Sequence, residues 1–190
     1  MKEKDKNWEG FCKYNPYMMK YNMPITYALN GQKRNEGIPM EKLQGSTVFA
    51  GYCYAGALAD ITPEQAKKLT HLNLAFGIVQ DNRIQIDAIR DNLFYLEEIR
   101  KWNPQLAVLL STGGGGASGH GEATRPENLQ AFVQSTMDAV RELHLDGIDC
   151  DWEFPCDTGL MEEKQQHVAL MRAYRKELDE YEKERGRKCW

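Results

Sequence analysis

Leu145 to Pro155 reads Leu-Asp-Gly-Ile-Asp-Cys-Asp-Trp-Glu-Phe-Pro. Its acidic residues are the side chains of this sequence best spaced for chemistry. If the segment is a strand, side chains alternate, so Asp149, Asp151 and Glu153 project from one face while Ile148, Cys150 and Trp152 project from the other. Neighbours on one face lie about 6.6 Å apart, twice the strand rise. At an effective dielectric of about 20, two carboxylates at that distance repel by roughly 2.5 kcal/mol, enough to move a pKa by about two. Three in a row on a buried strand should therefore keep at least one proton near neutral pH. A retained proton beside ionised carboxylates is what general acid catalysis needs. Glu153, the outermost, is the expected acid. Asp151 would hold that proton or orient a polarised substrate group, and Asp149, deeper, would tune Asp151. Two other readings stay open. One is a metal site, although hard cations usually recruit ligands from several strands. The other is a buried ion-pair network, although the predicted strand interiors hold no Lys or Arg to complete it.

Catalytic groups of parallel α/β folds sit at the carboxyl ends of strands, so the surrounding elements decide whether these acids reach a cleft. Apolar, β-branched and aromatic runs predict strands over Thr47–Tyr54, Leu72–Val79, Leu106–Ser111 and Leu145–Glu153. Helical spacing of apolar residues predicts helices over Pro63–Leu69, Asp87–Trp102, Pro126–Leu143 and Leu160–Arg185, with Thr62 placed to cap the first ahead of Pro63. Strands that read as continuous apolar runs are buried on both faces, as in a parallel sheet covered by helices. The pattern is β-α four times over, with Arg187 to Trp190 expected to begin a fifth strand. An open doubly wound sheet and a (β/α)8 barrel both fit this much, and the barrel needs about 250 residues.

The acidic segment resembles the signature of glycoside hydrolase family 18, the chitinase family, whose pattern is DxxDxDxE on the fourth strand of a (β/α)8 TIM barrel. The match runs from Asp146 through Asp149 and Asp151 to Glu153, with Phe154-Pro155 where the family often has Tyr-Pro. Upstream, Ser111-Thr112-Gly113-Gly114 is similar to the family's SxGG, although Gly115 stands where Trp often follows. The resemblance covers about residues 47 to 185. It implies the N-terminal half of the barrel, with residues 1–45 as an irregular arm and 46–190 as a partial catalytic domain.

The resemblance also implies retaining hydrolysis of chitin or another N-acetylglucosamine-containing glycan, in which the substrate's own acetamido oxygen attacks the anomeric carbon. Glu153 would protonate the leaving oxygen, Asp151 would orient the acetamido group, and Asp149 would support Asp151. Ser111, Gly113 and Gly114 would shape the floor, and Tyr52 and Phe76 would border the sugar. Asp146 would stabilise the start of its strand. No cofactor or metal is implied. The family's later strands supply further substrate contacts, so a chain ending at Trp190 is expected to be weakly active or inactive alone, and its unpaired sheet edges invite self-association. An endo-β-N-acetylglucosaminidase and a non-catalytic sugar-binding relative are the alternatives.

The remaining features narrow the classes. Gly114 to Gly119 satisfies GxGxxG, yet the next predicted helix opens only near Pro126, so a dinucleotide loop is disfavoured. His71, His120, His144 and His167 lack metal-protease spacing, and only His120, after the glycines, could approach the cleft. The 190 residues carry 24 Lys and Arg against 28 Asp and Glu, a net charge of -4 that argues against nucleic acid. No apolar run is long enough to span a membrane. Five scattered cysteines (Cys12, Cys53, Cys150, Cys156 and Cys189) and a charged N-terminus suggest neither a disulfide framework nor a secretory signal. The expected compartment is cytoplasmic, with secretion of a full-length form left open.

Overall fold

A computed structural model describes residues 48–157 and 159–190. The predicted arm over 1–45 and its aromatics lie outside the described residues, as does Thr47. Four strands form a parallel sheet in the order β1 (Ala50–Tyr54), β2 (His71–Gln80), β4 (Ala107–Gly113) and β5 (Gly147–Asp151). Between them run α1 (Pro63–Lys68), α2 (Asp87–Arg90), α3 (Leu93–Trp102), α4 (His120–Ala123) and α5 (Leu129–Glu142), and α6 (Glu163–Arg185) follows β5. This is the predicted succession of β/α units.

Local chemistry explains the boundaries. Thr62 accepts from the Gln65 backbone while the Gln65 side chain accepts from the Thr62 backbone, a complete capping box with Pro63 in the first turn. Gly186, at φ 63°, ends α6 with its N–H bonded to the Glu182 carbonyl. One long helix over Asp87–Trp102 does not form. It breaks into α2 and α3 at Asn92, whose side-chain amide donates to the Ala88 carbonyl at 2.8 Å and whose backbone leaves the helical region. The predicted strand over Leu72–Val79 extends through Gln80 into a hairpin. Asp81 and Asn82, both left-handed at φ 51° and 57°, turn the chain so that β3 (Arg83–Gln85) pairs antiparallel with β2. The fifth strand expected at Arg187–Trp190 is not formed. Trp190 nevertheless lies along β5, its N–H bonded to the Asp146 carbonyl and its carbonyl to the Ile148 N–H.

The rear face of the sheet carries the core. Leu72, Leu74, Val108, Leu110 and Ile148 meet Phe132, Val133, Met137 and Val140 of α5 and Leu170, Tyr174 and Leu178 of α6, all buried. Burial of this kind is worth roughly 1.5–3 kcal/mol per large side chain. It fixes the alternation of β5, because a slip of one residue would turn Ile148 outward and put an aspartate into the core. The opposite face is thereby left to the polar residues. Among the described residues no helix is long and apolar enough to cross a membrane.

Candidate active site

The alternation expected of the acidic segment is present. Cys150 and Trp152 face the helices: Cys150 packs against the core, and the Trp152 ring stacks on His120. Asp149 and Asp151 face the other way, in register with Ser111 and Gly113 of β4. The strand itself stops at Asp151, so Glu153, predicted as its last residue, stands just beyond the strand end and is exposed.

Two hydroxyls converge on Asp149. Ser111, wholly buried, donates to its Oδ2 at 2.7 Å. Tyr52, the middle residue of β1, also donates to Asp149 and itself accepts from Asn73. Burial, and then the neighbouring Asp149, push the Tyr52 phenol up to about 12, so it remains a donor across the physiological range. Asp151 is the carboxyl pushed upward. Partial burial is the first cause, followed by the charges of Glu153 and of Asp149. Asp151 is thus flanked by a carboxylate on either side. Among the described residues no Lys, Arg or His forms an ion pair with Asp149, Asp151 or Glu153.

The glycines after β4 make room for these acids. Gly113 has φ 104°, and a Cβ there would strike the Asp151 carbonyl and approach His120 Cε1 to 2.8 Å. Only glycine fits such a position. The Gly114 N–H bonds to that same Asp151 carbonyl at 2.8 Å, and a Cβ on Gly114 would fall within 2.9 Å of the Phe76 ring. Phe76 therefore lies over the glycine turn, edge-on to Tyr54 with centroids 5.7 Å apart. Glu153 Oε2 would stand 3.6 Å from a Cβ on Gly115, so the outermost acid overlooks the bare backbone of this loop. Tyr52, Phe76, Ser111, Gly113 and Gly114 thus all border the face that carries the acids.

Other candidates lie elsewhere. His120 does not line the acid face. It is buried against Phe132 and Trp152, and burial followed by the charge of His167 depresses its pKa to about 4. Asp146 is buried at the start of β5, where Oδ2 accepts from the Val108 N–H at 2.9 Å and Oδ1 faces Arg185 and Arg187 at 3.2 and 2.9 Å. These contacts tie the start of β5 to β4 and to the C-terminal segment. Cys53, Cys150, Cys156 and Cys189 are free, and burial pushes the Cys53 and Cys150 thiols up to about 12 and about 11, far from nucleophilic use. Among the described residues no three His, Cys, Asp or Glu side chains are grouped to hold a metal ion. Asn73 was missed at the sequence level. The signal was a lone polar residue in an apolar strand, paired in register with Tyr52.

Residues 48–189 match the profile of Glycosyl hydrolases family 18. The chain belongs to this family. A family 18 N-acetylglucosaminidase from Paenibacillus barengoltzii superposes with a TM-score of 0.70 at 40 % identity, covering 76 % of this chain and 44 % of that one. A class V chitinase mutant from Nicotiana tobaccum in complex with NAG4 superposes with a TM-score of 0.63 at 25 % identity, covering 76 % and 42 %. Among curated relatives, the class V chitinase CHIT5a of Medicago truncatula is 30 % identical over 93 residues, 45 % of this chain and 24 % of that protein. The chain thus spans less than half the length of these family 18 proteins. Its parallel units correspond to the N-terminal half of the family's (β/α)8 barrel.

Proposed function

We propose that this chain carries the acid group of a site that hydrolyses β-1,4 bonds in chitin or chito-oligosaccharides with retention of configuration. The observation that supports it is the row of three carboxylates on one side of β5 and its extension, over a glycine floor and without a basic partner among the described residues. The substrate's acetamido oxygen attacks the anomeric carbon, and the bond to the leaving sugar breaks as Glu153 passes its proton to the glycosidic oxygen. Asp151 accepts from the acetamido N–H and offsets the positive charge that develops on the ring formed. Asp149, held by Ser111 and Tyr52, keeps Asp151 oriented and its pKa raised. Water then opens the cyclic intermediate, returning a proton to Glu153. Tyr52 and Phe76 border the reacting sugar.

The described sheet has no further strand beyond β1, and β5 is bonded on its outer side only by Trp190. An open sheet covers a sugar from one side only, so the 190-residue chain is proposed to turn over slowly. Release of chromophore from a nitrophenyl chito-oligosaccharide by this chain and by Glu153→Gln tests the reading. Slow turnover abolished in the variant supports it; turnover that survives Glu153→Gln refutes the acid assignment. Release of intact oligosaccharide from an N-glycan instead would mark an endo-β-N-acetylglucosaminidase, and calorimetric binding without cleavage a sugar-binding protein.

A further inference from the structure

We infer that Glu163 and His120 are positioning residues that hold Glu153 in place, an inference that rests on the proposed role of Glu153 as the acid. The ladder of β5 ends where the Asp151 carbonyl accepts from Gly114. From Trp152 to Cys156, no backbone hydrogen bond ties the segment to another strand among the described residues. Glu153 is itself exposed, so whatever fixes it must act through its neighbours on either side.

Each neighbour has an anchor, and both anchors meet at α4. Before the acid, the Trp152 ring lies nearly parallel to His120, with centroids 5.5 Å apart and planes at 15°, and His167 meets it edge-on at 5.9 Å. His120 is 2 % exposed and edge-on to Phe132 at 5.9 Å. Its buried Nε2 has no hydrogen-bond partner among the described residues, so the ring itself is what it contributes. After the acid, Glu163 is 7 % exposed and its carboxylate Oε2 accepts from the Cys156 N–H at 2.7 Å. A carboxylate buried so deeply is costly unless its bonds are made. A Cβ on Gly121, the residue after His120, would stand 2.5 Å from Glu163 Oε1 and 3.9 Å from the Trp152 ring. The absence of a side chain there lets the carboxylate and the indole close on one point behind Glu153.

The test uses the full 190-residue chain with Glu163→Ala, Glu163→Gln, His120→Ala and His120→Phe. Amide hydrogen exchange is followed over 152–157 and, as an internal reference, over β4. The expected result is exchange at least roughly tenfold faster over 152–157 in Glu163→Ala, the size of one charge-assisted hydrogen bond, with β4 unchanged. The Gln variant, which keeps an acceptor, restores most of the protection. His120→Ala loosens the same segment and His120→Phe, which keeps a flat ring, does not. On a nitrophenyl chito-oligosaccharide, the two Ala variants lower kcat and leave KM unchanged. Unchanged exchange over 152–157 in both Ala variants, equal loosening of β4, or an undiminished kcat in a loosened variant overturns the inference. Should exchange respond as expected while Glu153→Gln leaves turnover intact, the acid assignment fails and the anchoring stands.

Discussion

Within the eight residues from Asp146 to Glu153, the two ends of β5 treat the same chemical group in opposite ways. At the amino end, Asp146 is 2 % exposed, its Oδ2 accepting from a backbone N–H and its Oδ1 in ion pairs with two guanidinium groups. At the carboxyl end, Asp149, Asp151 and Glu153 crowd one face, and the donors that reach them are hydroxyls, Ser111 and Tyr52 on Asp149. The first arrangement stabilises a fold. The second raises the proton affinity of Asp151 and leaves the three carboxyl groups without a guanidinium partner among the described residues. The difference is not in the acids but in what the neighbouring strands and the C-terminal segment bring to them.

Four substitutions probe that contrast. The largest effect is expected of Glu153→Gln, which should lower turnover of a chromogenic chito-oligosaccharide by about 100- to 10,000-fold, the range of a lost general acid, with unfolding in urea unchanged. Asp146→Asn should do the reverse. It leaves Arg185 and Arg187 facing a neutral group and should cost about 2–4 kcal/mol in urea unfolding. Ser111→Ala removes one donor from Asp149 and should cost about 1 kcal/mol by the same measurement, with a fall in kcat. The smallest effect is a gain. Asp151 has its pKa raised on folding, so its contribution to stability is fully present below the ordinary value of 3.8 and is lost as pH rises through the raised one. Asp151→Asn should therefore stabilise the chain at pH 7, by less than about 1 kcal/mol after solvent screening, and the gain should vanish below that ordinary value. A gain from Asp146→Asn, or a large loss from Asp151→Asn, would erase the distinction between the two ends.

The parts of the molecule governed by local rules were legible in the sequence. Thr62 and Pro63 announced their helix, and the apolar alternation of Ile148, Cys150 and Trp152 fixed which way the acids face. Side-chain competition with the backbone was harder to read. Asn92 breaks a helix whose apolar spacing runs on without interruption, and Asp81-Asn82 makes a hairpin turn without the usual glycine. Contacts between distant segments were not legible at all. Nothing near Glu163 signals that its carboxylate reaches Cys156, nor near Asn73 that it meets Tyr52. The four-acid pattern carried Asp149, Asp151 and Glu153, but the guanidinium partners of Asp146 lie some forty residues on, Arg185 at the end of the predicted last helix and Arg187 in a segment expected to be a strand.

The carboxyl titrations of Asp149, Asp151 and Glu153, followed by carbon NMR on the intact chain, test the crowding of these acids most directly. Asp151 should titrate above 3.8, and its midpoint should fall when either Glu153→Gln or Asp149→Asn removes a neighbouring charge. A midpoint at or below 3.8 that neither substitution moves would contradict the coupling on which the proposed chemistry stands.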